Sequence, residues 1–294
     1  MENIVEGGFS NSRLNAHFMC NSCINVSIDR IVIVGDISAH EEEYFKNLLA
    51  SDVAYSTISV MTSKFMAQVF NNKIFIDYDK FKADSFSRRN CRVDFNPNNL
   101  TNYEKDYFKK TFIKHLKNTS FSRIDIAFDF SHNLSGLFVS FDNPVKRSVI
   151  YGKNNEIETL YFGSRNSKRY LRIYDKKKEA YDKKREILNY KDLWRIEFEL
   201  KKDYVKDINN LDLFCEGISL SYPNIKLEKD IRTRAMLLLL MMHPEEFSNL
   251  HRNSKKKYKD LFKKISDFDL TNIIKEIYKK KEYTLKQELL FYTY

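Results

Sequence analysis

Glycine and proline are scarce, with seven and four copies in 294 residues, and cysteine is no more common, with four. So little glycine argues against a glycine-rich phosphate loop, and neither GxxxxGK[ST] nor GxGxxG occurs. Low glycine and proline together with 43% hydrophobic residues exclude a disordered, low-complexity chain and predict a sizeable core. Four cysteines do not make a disulfide scaffold in a chain of this length, so reduced thiols and a cytoplasmic setting are expected. Long apolar runs are missing as well. Met236–Met242 falls far short of the ~20 residues that span a bilayer, so no membrane partner is expected. Met1–Glu6 lacks the basic-then-apolar start of a secretory signal.

Positive charge is what the chain has in excess: 50 Lys and Arg against 40 Asp and Glu, a net of +10. A polyanion is therefore a natural partner. The excess is local. Residues 1–164 are neutral and 186–250 slightly acidic, whereas 165–185 hold 10 basic and 3 acidic residues and 251–294 hold 12 and 6.

The spacing of apolar residues predicts strands at Ser27–Gly35, Lys73–Asp79, Phe121–Phe130, Ser148–Gly152, Glu158–Gly163, Arg169–Asp175 and Leu193–Leu200. Helical spacing marks Glu41–Ala50, Thr62–Phe70 and Tyr103–Leu116. From about residue 203 helical signals dominate, at Asp230–Met242, Ser254–Ile265 and Leu270–Leu290. The expected fold is α+β: a mostly antiparallel sheet with packed helices, followed by a helical, basic C-terminal region. The expected division is an N-terminal arm at 1–26, a catalytic domain at 27–202 and a C-terminal recognition region at 203–294.

Three strands repeat arginine, aliphatic, acid: Arg92-Val93-Asp94, Arg123-Ile124-Asp125 and Arg195-Ile196-Glu197, with Arg172-Ile173-Tyr174 as a fourth variant. Residues i and i+2 share a strand face, so in each case the arginine and the acid or phenol point one way and the aliphatic residue the other. One outcome is a solvated face whose charges pair across strands for a few tenths of a kcal/mol each. The other gathers Asp125 and Glu197 beside Tyr174, where hard oxygen ligands suit Mg²⁺ or Mn²⁺ and the arginines suit a phosphate. A phenol with an ordinary pKa near 10 needs activation at pH 7. Arg172 and Lys176 are expected to lower that pKa, and a divalent metal to polarise the phosphate.

The run ETLYFGSRNSKRYLRIYDKKKE, Glu158–Glu179, resembles the active-site segment of the Rep_trans family, the replication initiators of small Gram-positive rolling-circle plasmids. The resemblance extends in order through FSNSRL (Phe9–Leu14), Ile33-Val34-Gly35, Asp79–Thr101, FSRIDIAFDF (Phe121–Phe130), LWRIEFELK (Leu193–Lys201) and Tyr258–Thr271. It implies a homodimer that binds a plasmid double-strand origin, nicks one strand in an extruded hairpin through a phosphotyrosine link, leaves a 3′-OH primer and later rejoins strands. It also implies loading of a host helicase, and origin discrimination by the C-terminal part. The nucleophile of the RIY motif is Tyr174, with Arg172 two positions before it. Asp125 and Glu197 are the metal positions it suggests. Relatives often carry asparagine after the tyrosine; here Asp175 is expected to face away and cap a helix that starts at Lys176.

The six histidines never fall in the H-x-H spacing of the HUH nicking enzymes, so a carboxylate-held ion is expected. His17, Cys20 and Cys23 have zinc-like spacing without a fourth ligand nearby, which favours free thiols. Tyr170 reads as a packing or stacking residue. Arg165, Lys168 and Arg169 around the nucleophile, and Lys255, Lys256, Lys257 and Lys259 in the tail, are the expected DNA contacts. Two alternatives stay open: a conjugative relaxase acting at a transfer origin, and a DNA-binding regulator that cuts nothing.

Overall fold

Alternating aliphatic residues dominate the first half of the chain, and in the computed structural model, which describes residues 21–51, 57–61 and 64–293, they build one large sheet. In chain order the first half runs β1 (Cys23–Asp36), α1 (Glu42–Ser51), β2 (Thr57–Met61), β3 (Lys64–Val69), β4 (Ile74–Asp79), α2 (Lys80–Phe86), β5 (Cys91–Phe95), α3 (Asn102–Thr111) and β6 (Lys117–Phe130). There follow β7 (Phe138–Phe141), β8 (Arg147–Tyr151), β9 (Ile157–Phe162), β10 (Arg169–Asp175), α4 (Lys176–Lys184), β11 (Trp194–Lys201) and α5 (Asp203–Lys206). The last third holds β12 (Ile218–Pro223), α6 (Ile231–Met242), α7 (Arg252–Lys264), β13 (Ser266–Asp269) and α8 (Leu270–Phe291). Ten strands pair in the order β2-β3-β4-β5-β1-β6-β11-β10-β9-β8, every neighbouring pair antiparallel.

One face of this sheet is the core. Ile124, Ile126, Phe128 and Phe130 of β6 and Ile196, Phe198 and Leu200 of β11 are fully buried there, as the alternation predicts. Phe214, in a 3-10 segment after α5, stacks on Phe128 at 5.6 Å and meets Phe198 edge-on at 4.8 Å. Tyr278 of α8 lies 5.1 Å from Phe214, and Tyr292 lies 4.9 Å from Phe95, so the C-terminal helix closes the same face. One apolar cluster therefore runs from Ile28 to Tyr292.

Two expectations change. Residues 64–69 form a strand where helical spacing was expected, because Phe65, Ala67 and Val69 alternate into the core with period two. The C-terminal third is mainly helical, yet β12 and β13 join β7 in a second, three-stranded sheet. These strands are short, and Ser-Asp-Phe-Asp gives no clear alternation. No helix among the described residues is long and apolar enough to cross a membrane. Phe9–Leu14, His17 and Cys20 lie outside the described residues.

Candidate active site

The other face of the sheet carries the charged partners of those apolar rows, and strand register decides which of them meet. Tyr174 of β10 stands opposite Arg195 of β11, and Arg172 opposite Glu197. Across β11 and β6, Arg195 faces Asp129 and Glu199 faces Asp125. Asp175 ends β10 and caps α4, accepting from the Lys178 backbone N–H at 2.9 Å, as expected.

Glu197 ties the site together. Its Oε1 pairs with Arg172, and its Oε2 accepts a hydrogen bond from the Tyr174 hydroxyl at 3.3 Å. Arg172 also reaches Asp125, at 3.7 Å. Asp125 accepts two hydrogen bonds from Arg123, at 2.7 and 2.6 Å, and Arg123 bridges on to Glu199 at 2.5 Å. Arg195 donates to both oxygens of Asp129, at 2.5 and 2.8 Å, and to Asp29 at 2.7 Å.

Asp29 reaches this cluster through a bulge. The β1–β6 register slips between Ile28 and Arg30, so Ile28 and Ile31 both enter the core while Asp29 and Arg30 both join the polar face. Sequence reasoning did not single out Asp29, although alternation puts Asp129 on the charged face of β6 beside Arg123 and Asp125. The signal available was two adjacent polar residues inside an otherwise aliphatic strand, which breaks the period of two.

The solvated-face alternative is corrected by burial: Asp125 is 0% exposed, Glu197 1%, Arg195 7% and Tyr174 8%. Charges so placed are stable only when paired and hydrogen-bonded, which is what the arginines provide. The side chains line a cavity of about 1080 Å³ that Tyr174, Arg172, Arg195, Asp125 and Glu197 share.

Arg172 lowers the Tyr174 pKa as expected, but the net shift is upward and Lys176 is not among the main influences. Burial pushes the phenol above its ordinary value; Arg195 is the largest opposing influence, and Arg172 a weaker one. Lys176 lies at the start of α4 and not on the strand face. Its Nζ pairs with Glu179 at 2.6 Å and sits 5.8 Å from the Tyr174 ring centroid. Burial likewise raises Asp125, against the hydrogen bonds from Arg123. Arg195 is held above its usual range: burial alone would lower it, but Asp129 and Asp29 outweigh that.

Asp125 and Glu197, the expected metal ligands, face one cavity and offer the hard oxygens that Mg²⁺ or Mn²⁺ prefers, so the donor set fits in kind. They are not arranged as a cage: among the described residues no three His, Cys, Asp or Glu side chains converge for a metal ion, and Arg172 sits between these two acids.

The expected DNA contacts divide into free and engaged groups. Arg165 is exposed; Lys168, also exposed, pairs with Asp203. Arg169 is tied inward, donating to the carbonyls of Phe214 and Glu216 at 3.2 and 2.6 Å. In α7, Lys256 and Lys257 are exposed, whereas Lys255 donates to the Ser248 carbonyl at 3.1 Å and Lys259 to the Phe141 carbonyl at 2.7 Å. Tyr170 stacks on Tyr161, with ring centroids 5.9 Å apart. Cys91 and Cys215 are free thiols, and the Cys23 thiol donates to the Asn25 carbonyl at 3.5 Å.

Comparison with known proteins agrees with the motifs. A family model described as "Replication initiation protein, N-terminal" matches residues 30–116, and one described as "Replication initiation factor" matches residues 134–210. Two curated Staphylococcus aureus proteins, each named replication initiation protein, are 38% and 37% identical over 292 residues, covering 99% of this chain and 92% of each relative. A solved rolling circle replication initiator protein from Geobacillus stearothermophilus aligns with 71% of this chain and 91% of its own at 12% identity, with a TM-score of 0.41, too distant to add to the argument. With near full-length identity of this order to its staphylococcal relatives, the chain belongs to the Rep_trans family of replication initiation proteins.

Proposed function

We propose that the protein initiates rolling-circle replication of a plasmid by cutting one strand of its double-strand origin with Tyr174. The observation that carries this is a single buried phenol opening on a polar cavity, hydrogen-bonded to Glu197 and flanked by Arg172 and Arg195. The Tyr174 oxygen attacks phosphorus, a P–O(Tyr) bond forms as the P–O3′ bond breaks, and the leaving 3′ oxygen takes up a proton to become a primer. Glu197 Oε2 is placed to take the phenol proton. Arg172, whose buried Nε has no partner in the described structure, can donate it to a phosphate oxygen. Reversal of the same step rejoins strands, because the phosphotyrosine keeps the energy of the broken bond.

A Mg²⁺ or Mn²⁺ ion held by Asp125 and Glu197 would supply positive charge to the phosphate. Residues 27–202 carry this chemistry and 203–294 read the origin; a homodimer and a host helicase follow from the family resemblance. A relaxase would use the same chemistry on a transfer origin, whereas a regulator that cuts nothing has no use for the buried phenol and acids. The experiment is incubation with supercoiled origin plasmid and Mg²⁺ or Mn²⁺. Open circles with protein on the 5′ end are expected from the parent and none from Tyr174→Phe; equal nicking by the variant refutes the proposal.

A further inference from the structure

The cavity does not end at Tyr174. Its wall continues across β11, β6, β1 and β5 to β4 and β3, where Phe75 and Gln68 line the same space. Register places Gln68 opposite Phe75 and Phe75 opposite Asp94, so the three side chains share the polar face of the sheet. Phe75 is a half-buried aromatic among charges, on the face away from the core, and its ring meets no other described aromatic residue. Gln68 and Asn99 present exposed amides to the same cavity.

The charges along this path change sign. At the tyrosine end the acids Asp29, Asp125, Asp129 and Glu197 outnumber Arg172 and Arg195. Midway, Arg30 and Arg92 both bind Asp94, whose side chain is 9% exposed while theirs are 41% and 42% exposed. One buried carboxylate between two exposed guanidinium groups leaves a net positive charge facing the cavity. Between Tyr174 and Phe75 lie five strand spacings, at least ~24 Å. That is room for about four extended nucleotides, the lower end of single-strand site sizes.

We infer that this cavity is a groove for the single strand that flanks the nick, with Phe75 stacking on one base, Gln68 and Asn99 contacting base edges, and Arg30 and Arg92 holding the intervening phosphates. The inference rests on the nicking proposal for the identity of the strand. Aromatic faces stack on any base and amides pair with base edges, so the groove adds a local sequence preference near the nick. That preference is separate from origin recognition by the C-terminal region.

The test is a ladder of fluorescent single-stranded oligonucleotides carrying the nick site, shortened one nucleotide at a time from either end and titrated by anisotropy with full-length protein. Phe75→Ala is expected to bind the long oligonucleotides roughly ten-fold more weakly, and Phe75→Tyr to bind them as the parent does. Once one end is trimmed past the groove, all three proteins bind alike. Gln68→Ala, at an exposed position that leaves folding untouched, is expected to alter the preferred base at one flanking position. If Phe75→Ala and Gln68→Ala follow the parent along the whole ladder, the inference is overturned. Cutting is scored separately on gels: nicking by Tyr174→Phe would refute the nucleophile assignment, while the anisotropy ladder would still decide the groove.

Discussion

The Tyr174 hydroxyl donates to Glu197 Oε2 at 3.3 Å across the β10–β11 pair, while the other oxygen of Glu197 is held by Arg172. One carboxylate thus orients both the phenol and the arginine of the RIY motif. Glu197→Gln keeps the size and an acceptor but removes the charge, and with it the proton acceptor and a hard ligand. Nicking is expected to fall by about 10² to 10⁴-fold. Binding to double-stranded origin DNA, read by gel shift, should stay at the parent level. A matching loss of binding would mean that Glu197 only supports the fold.

Burial raises the Tyr174 pKa above that of an ordinary phenol, so at neutral pH the group is protonated in the folded protein. With Glu197 taking that proton inside the site, single-turnover nicking by the parent at fixed metal is expected to stay flat from about pH 7 to about pH 9. In Glu197→Gln the proton must leave to solvent, and because the phenolate fraction grows ten-fold with each pH unit, the residual nicking is expected to rise about ten-fold per unit over the same range. A ten-fold rise per unit in the parent would remove Glu197 as the proton acceptor.

Arg195 binds Asp129 with two hydrogen bonds and Asp29 with a third; Arg195 and Asp129 are nearly removed from water, and Asp29 is partly buried. Arg195→Met leaves two acids without their cation, and a loss of about 3–5 kcal/mol of stability is expected. Adding Asp129→Leu removes one of those orphaned charges and should recover part of the loss. Urea unfolding of the two variants measures both effects. A double variant less stable than Arg195→Met would contradict the account.

The two faces of β6, β10 and β11 are legible from alternation alone, because Ile124, Ile173 and Ile196 each sit between an arginine and an acid or phenol. The meeting of Tyr174 with Glu197 follows from strand order and register, which alternation does not contain. Arg195 shows the difference. It lies directly opposite Tyr174 and has more influence on the phenol than Arg172 on the same strand, yet β11 is about twenty residues away in the chain. The bulge at Asp29 is hidden for the same reason: local pattern names a face, while backbone geometry decides who occupies it. Residues 64–69 mislead because a short apolar run fits both periods.

The lysines of α7 make the last prediction, because four neighbours in sequence have two different jobs. Lys255 and Lys259 direct their charge to the carbonyls of Ser248 and Phe141, which tie α7 to the loop after α6 and to β7. Lys256 and Lys257 are exposed, Lys257 with its Nζ 5.5 Å from the Tyr258 ring centroid, and neither holds a carbonyl among the described residues. Lys256→Ala with Lys257→Ala is expected to weaken origin binding and to reduce the slope of log K against log salt by about 0.9 for each phosphate no longer neutralised. Stability should not change. Lys255→Ala and Lys259→Ala should each cost about 1 kcal/mol of stability. Their effect on the salt slope should be smaller, because those charges are already held by the protein. Binding titrations at several salt concentrations, run beside thermal unfolding, separate the pairs. An equal salt slope for both pairs would show that the carbonyl-bound lysines also reach DNA.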